Sequence, residues 1–93
     1  MSPISGQKTI TTAGTAEALG SQVINGPLMI KALLANTNHA YVGSDGSGDV
    51  TSANGLELDA GDAVVFEFVA DLANIMVDVD TDGEGVAWLS LNV

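Results

Sequence analysis

Turn-forming residues interrupt this chain roughly every eight to twelve residues, which is the spacing of short strands and not of helices. Ala13-Gly14, Gly20, Asn25-Gly26-Pro27, Asn36-Thr37-Asn38, Ala60-Gly61-Asp62 and Asp82-Gly83 all punctuate it, and residues 44–54 (SDGSGDVTSAN) read as a longer polar surface loop. A helix of ordinary length has no room between such breaks.

The intervening segments alternate with the two-residue period of strands. Residues 7–12 (QKTITT) are rich in β-branched side chains, and residues 15–19 alternate weakly. In residues 28–35 (LMIKALLA), Leu28, Ile30, Ala32 and Leu34 share one face, with Met29, Lys31 and Leu33 opposite, so partial cover on both sides of this strand is expected. The composition of that segment would permit a helix. Its opening Gly-Pro and closing Asn-Thr-Asn suit a strand better. Residues 40–43 (AYVG) give a short strand, and 55–59 (GLELD) and 63–70 (AVVFEFVA) flank a turn at Ala60-Gly61-Asp62. Val64, Phe66 and Phe68 fall on one face, which places both phenylalanines in the core. Residues 74–80 put Ile75, Val77 and Val79 inward and Met76, Asp78 and Asp80 outward. Asp82-Gly83 is a hairpin-turn dipeptide, leading into residues 86–93 (VAWLSLNV). There Leu89 and Leu91 are expected to face the core, leaving Trp88 with Val86 on the other side, partly exposed.

Seven to eight short strands without a helix predict an all-β fold: a single small antiparallel β-sandwich of jelly-roll or Greek-key type. Residues 1–6 read as a flexible N-terminal arm and residues 7–93 as one domain. Met1 to Gly6 lacks the charged and apolar regions of a signal peptide, so synthesis without Sec export is expected. No apolar run is long enough for a transmembrane helix.

Charge narrows the functions. Lys8 and Lys31 are the only basic residues against twelve acidic ones, for a net charge of −10, in a chain that is 46% hydrophobic. Gripping nucleic acid or anionic lipid needs clustered Lys and Arg, so neither partner is expected. There is no cysteine, which excludes disulfides and thiolate chemistry. A domain this small without staples commonly gains stability by oligomerising. Glu17 is the only acidic residue before Asp45, so repulsion concentrates in the second half of the chain.

Candidate sites are few. His39 is the only histidine, and Ser44 with Asp45 nearby could complete a triad only on paper, because no serine lies in a G-x-S-x-G context. An ordinary surface histidine is the expectation, and no catalytic residue is named. Leu58-Asp59-Ala60-Gly61-Asp62 resembles the turn of cupin-type barrels, but a cupin-type centre needs several histidines. Paired carboxylates for glycoside hydrolysis would want aromatic platforms, and the chain is 4% aromatic. The sharpest constellation is Asp78-x-Asp80-x-Asp82-Gly83-Glu84, the opening of a calcium loop, whose closing position here is Leu89 and not Glu. Asp78, Asp80 and Asp82 are therefore the metal candidates, calcium the one cation the pattern admits, and a solvated acidic hairpin the plainer reading; no cofactor is expected. Ile4, Tyr41 and Trp88 are the interface candidates, Ile4 because an arm can order on a neighbour, the two rings because a small aromatic face suits protein contacts.

Several stretches together resemble small β-rich proteins encoded by tailed bacteriophages and related proviruses. They are Lys8-Thr9-Ile10-Thr11-Thr12-Ala13-Gly14-Thr15-Ala16; Ile30-Lys31-Ala32-Leu33 with Ala35-Asn36-Thr37; Tyr41-Val42-Gly43; Ser52 with Asn54-Gly55; Leu58 with Ala60-Gly61-Asp62; Val77-Asp78; and Gly83-Glu84-Gly85-Val86. The resemblance implies a virion component of head-decoration or cement type, made in the host cytoplasm and placed on the outer capsid surface. It implies the major capsid protein as partner and a homo-oligomer, often a trimer at three-fold or quasi-three-fold positions. It carries over no catalytic residue. A tail- or fibre-associated module recognising a glycan or another virion protein is the alternative expectation.

Overall fold

The two-residue period is plainest in residues 28–32, where side chains are alternately buried and exposed from Leu28 through Ala32. Leu28, Ile30 and Ala32 are fully buried, while Met29 and Lys31 face solvent. A strand half wetted in this way has its register fixed, because a slip of one residue would exchange the two faces. The computed structural model describes residues 3–44, 50–51 and 54–91.

Among the described residues the chain is all-β, with eight strands in two antiparallel sheets and one short 3-10 helix at Leu72–Asn74. The strands are β1 (Ile4–Thr9), β2 (Glu17–Ala18), β3 (Leu28–Ala32), β4 (Ala40–Gly43), β5 (Leu56–Leu58), β6 (Ala63–Phe66), β7 (Met76–Val79) and β8 (Gly85–Ser90). The first sheet has the order β1-β8-β3-β6 and the second the order β2-β7-β4-β5. Neither closes on itself: β1 and β6 edge the first, β2 and β5 the second.

One apolar cluster receives the inner faces of both sheets. Leu28, Ile30, Ala32 and Val86 come from the first, and Ala40, Val42, Leu58, Val77 and Val79 from the second. Ile10, Leu19, Ile24, Leu72 and Ile75 enter it from connecting segments. No helix among the described residues is long and apolar enough to cross a membrane.

Several expectations change. Ile4, Ser5 and Gly6 are not part of a flexible arm but the first half of β1, paired with Ser90, Leu89 and Trp88. β3 ends at Ala32, so Leu34 leaves the alternation and is 76% exposed. Phe66 packs on the core, but β6 stops there and Phe68 is 65% exposed. The last strand has the opposite phase to the one expected. Val86 and Trp88 turn inward with Ser90, and Leu89 and Leu91 are exposed.

The phase of β8 follows from two glycines. A Cβ on Gly6 would stand 3.0 Å from the Trp88 ring, so the indole fills the space a side chain at this position would need. A Cβ on Gly85 would stand far inside contact distance of the Lys8 carbonyl oxygen, so β1 and β8 can approach here only over glycine. Asp82-Gly83 does reverse the chain, with Gly83 at φ 84°. It is not a hairpin, however, because β7 and β8 belong to different sheets. The expected polar loop at 44–54 bridges the paired strands β4 and β5; residues 45–49 and 52–53 of it lie outside the described residues.

Candidate functional site

The acidic run that resembles a calcium loop sits where chain segments pass from one sheet to the other. The connections β1→β2, β3→β4, β5→β6 and β7→β8 all make such crossings. Segments of this kind leave backbone N–H groups without ladder partners, and these must find acceptors. The run supplies them. Asp78 Oδ1 accepts from Gly14 N at 2.9 Å and from Val79 N at 2.8 Å. Asp82 Oδ1 accepts from Ala13 N at 2.7 Å. Glu84 accepts from Thr37 N at 2.7 Å, Thr37 Oγ1 at 2.8 Å and Asn38 N at 3.3 Å. Backbone bonds Gly83 N to Ile10 O (2.7 Å) and Ile10 N to Glu84 O (2.9 Å) complete the clamp.

These carboxylates therefore hold backbone donors on separate segments. Among the described residues, no three His, Asp or Glu side chains are grouped so as to hold a metal ion. Asp78, expected outward and solvated, is 2% exposed, because the connection at residues 13–14 covers it. The other two metal candidates, Asp80 and Asp82, are exposed. The Glu84 carboxyl is held below its ordinary range, first by the Thr37 N–H and then by the Thr37 hydroxyl and Asn38 N–H.

Sequence reading missed what surrounds His39. Its Nε2 lies 2.7 Å from Asp59 Oδ1 and 3.7 Å from Glu57 Oε2, and its Nδ1 lies 3.6 Å from Asp80 Oδ2. Glu57 lies in β5, and Asp59 and Asp80 directly follow β5 and β7, the two strands that flank β4 in the second sheet. No local motif announces this group, since residues 39, 57, 59 and 80 meet only through strand pairing. Tyr41 joins it by donating its hydroxyl to Asp80 Oδ2 at 2.8 Å, with the two rings 6.3 Å apart. Burial pushes the Tyr41 phenol up to about 12, helped by the bond to Asp80 and by the negative charges of Asp80, Glu57 and Asp78. Among the described residues no serine hydroxyl bonds His39. The Ser44–Asp45 pairing considered for it involves Asp45, outside the described residues.

The interface candidates are not where they were expected. Tyr41 is 5% exposed under Gly55, whose Cβ position would lie 2.7 Å from that of Tyr41. Trp88 and Ile4 are half-buried and pack on the core from the first sheet. Tyr41 and Trp88 lie in different sheets and form no common platform.

The exposed apolar surface lies on the outer face of the first sheet. Strand register aligns Leu89, Met29 and Val65 in one row across β8, β3 and β6. They are 41%, 44% and 57% exposed, and Leu91, just past β8, is 56% exposed. In the next row Ala87, Lys31 and Ala63 are aligned. Two shallow apolar clefts flank Lys31. One, of about 200 Å³, is lined by Lys31, Leu33, Leu34 and Ala87 among others. The other, of about 170 Å³, is lined by Met29, Ala87 and Leu89. Lys8 is paired with Glu17 at 2.9 Å, which holds the Glu17 carboxyl below its ordinary range, while Lys31 makes no ion pair among the described residues.

No family model, curated protein or solved structure matches this chain.

Proposed function

We propose that this protein is a non-enzymatic structural component of a virion, decorating and cementing the outer surface of a tailed-virus capsid as an oligomer. The observation that carries the reading is the partition of charge between the sheets. None of the twelve carboxylates lies in a strand of the first sheet, and both lysines do. Such a molecule has a near-neutral, apolar side for contact and an acidic side that keeps decorated particles mutually repelling.

The sequence resemblance supports the same reading. Its matching pieces fall on β1 and its outgoing connection, on β3, β4 and β5, and on the β7→β8 crossing. They therefore cover strands of both sheets and the clamp that joins them. A jelly-roll is the finer description we propose for the fold. It is supported by the two four-strand orders, β1-β8-β3-β6 and β2-β7-β4-β5, each antiparallel throughout.

The shell contact we assign to the free edge of β1. That strand pairs on one side only, with β8, and carries Ile4 and no carboxylate. An unpaired edge offers backbone donors and acceptors to a strand of the major capsid protein, which suits a molecule with almost no basic side chains. Cementing is then mechanical, through area buried across capsomer boundaries.

Copy number per major capsid subunit in purified particles, by calibrated mass spectrometry, tests the reading. Hundreds of copies in a simple ratio to the shell protein are expected. A handful would move the protein to the tail, and absence from particles would overturn a virion role altogether.

A further inference from the structure

We infer that the outer face of the first sheet is a self-association surface, on which a second copy of this chain packs face to face about a two-fold axis. The inference concerns the free protein and goes beyond the capsid reading. It holds or fails whether or not the chain is found on particles.

Charge is the first reason. Each copy carries a net charge of −10, so most ways of bringing two copies together are opposed by like charge. The first sheet is the least opposed, because its strands hold no Asp or Glu, although Asp62 and Glu84 directly precede β6 and β8 and Glu67 directly follows β6. Glu17, Glu57 and Asp78 lie in strands of the second sheet, and Asp59 and Asp80 directly follow two of its strands. The molecule is 19 Å across its thinnest dimension. Packing first sheet on first sheet therefore turns the acidic sheets of both copies away from each other, well beyond the screening distance of about 8 Å at physiological salt.

Self-complementarity is the second. A two-fold axis along the Leu89–Met29–Val65 row lays that row on its own copy, apolar against apolar. Lys31 lies two residues along β3 from Met29, level with Ala63. Glu67 lies two residues beyond Val65 in the other direction, just past the end of β6, and is exposed. The axis exchanges the two sides of the row. It therefore brings Lys31 of each copy toward the Glu67 end of the other and keeps the two Lys31 side chains apart. Neither Lys31 nor Glu67 has an ion-pair partner among the described residues.

Area is the third. Four strands at about 4.8 Å spacing and four to six residues long present a face roughly 19 Å by 18 Å. Two such faces bury on the order of 700 Å² in contact, below the size of a stable specific interface and in the range of a weak, transient one. A weak, concentration-dependent monomer–dimer equilibrium follows, and not an obligate dimer.

Sedimentation velocity and light scattering from about 1 to 200 µM protein test this. Conversion from monomer to dimer over that range is expected, tightening several-fold as salt rises from about 0.05 to 0.5 M because repulsion between the acidic copies is screened. Met29→Glu places a carboxylate on the axis and should weaken the dimer at least tenfold. Met29 is already exposed, so an unchanged melting curve at low concentration separates this loss from misfolding. Lys31→Glu and Glu67→Lys should each weaken the dimer, and the double exchange should restore it. A protein that stays monomeric at 200 µM overturns the inference. So does a trimer, which needs a heterologous contact, or a dimer indifferent to Met29→Glu, which uses another surface. High copy number on particles together with a monomer in solution would leave the capsid reading standing and this inference refuted.

Discussion

In the first sheet the strands hold two lysines and no carboxylate, and their outer face is open and largely apolar. In the second, Glu17, Glu57 and Asp78 lie within strands, and the side opposite the core is roofed: Tyr41 lies under Gly55, and Asp78 under Gly14. The two sheets share one core yet solve the same problem differently. A chain at −10 must put its carboxylates somewhere, and clustered like charges destabilise unless each gains a partner. The second sheet and the β7→β8 crossing give them donors: backbone N–H groups, the Tyr41 hydroxyl and His39. The first sheet is left free for contact. Acidity and a docking face coexist in one small domain because they are segregated by layer.

The largest effect should come from breaking the first sheet at its tightest point. Gly85→Ala drives a methyl group into the Lys8 carbonyl and forces β1 away from β8. We expect a loss of about 3 kcal/mol, with the melting temperature falling by roughly 12 °C or more for a domain of this size. Gly14 is the contrasting control: nothing lies within 4 Å of its Cβ position, and only its φ of 92° resists a side chain. Gly14→Ala should therefore cost about 1 kcal/mol. Equal losses at the two positions would show that backbone conformation, and not the β1–β8 approach, governs both.

The second sheet can be read through the single tyrosine. Because Tyr41 is held neutral up to about 12, its phenolate absorbance should appear well above the ordinary value near 10. A raised native value means that the folded state keeps its proton while the unfolded chain loses it. Stability is thus full below pH 10 and falls as pH rises from about 10 to 12, by about 2 to 3 kcal/mol. Tyr41→Phe should flatten that alkaline limb of a denaturant-midpoint profile. A phenol titrating near 10 in the folded protein would show that Gly55 does not cover Tyr41 as described.

How much of this was legible in the sequence depended on whether burial was decided locally. For β3 it largely was: the alternation stands in the sequence and Leu28 and Ile30 are buried, although Met29 and Lys31, expected to be partly covered, face water. For β8 it was not. Leu89 and Leu91 looked like core, yet the inward phase belongs to Val86, Trp88 and the fully buried Ser90, because Gly6 on the neighbouring strand makes room for the indole. An apolar side chain facing out is invisible to a rule that sends apolar residues inward. Asp82-Gly83 signalled a turn correctly, but a turn dipeptide carries no information about which strands then pair. The calcium-like spacing had a reason too, though not the one expected: carboxylates at 78, 82 and 84 accept from backbone N–H groups at 13, 14, 37 and 38. That pairing joins residues far apart in the chain, so spacing alone could not separate a cation from a peptide N–H as the ligand. The group around His39 was hidden for the same reason.

Asp78→Ala tests whether the clamp is structural. The substitution takes the acceptor from the part-buried Gly14 N–H and from the Val79 N–H, at a carboxylate that is itself 2% exposed, which should cost about 2 kcal/mol. Asp78→Asn keeps an oxygen acceptor and should recover about half of that. If the alanine variant melted with the wild type, the carboxylate would be dispensable to the crossing and a ligand-binding role would have to be reconsidered.

The smallest effect bears on the seam between the sheets. Glu84 lies on the β7→β8 crossing and accepts from the β3→β4 crossing, and Glu17 of β2 accepts from Lys8 of β1, so both carboxylates bridge the two layers. Both are held below their ordinary range, Glu17 chiefly by the Lys8 bond and Glu84 chiefly by the Thr37 N–H. A depressed native value means that the unfolded chain takes up protons first as pH falls. The stability these groups contribute is present above the ordinary glutamate value near 4.5 and is lost as pH drops through their lower native values. Glu84→Gln keeps an acceptor for the Thr37 N–H but has no charge to lose. Its urea midpoint should lie slightly below that of the wild type at pH 7, and the gap should close toward pH 3. Adding Glu17→Gln should flatten the acid limb further while leaving the alkaline limb set by Tyr41 unchanged. Parallel curves for wild type and variants would mean that the bridges between the layers are neutral, leaving the shared apolar core to join the open sheet to the acidic one.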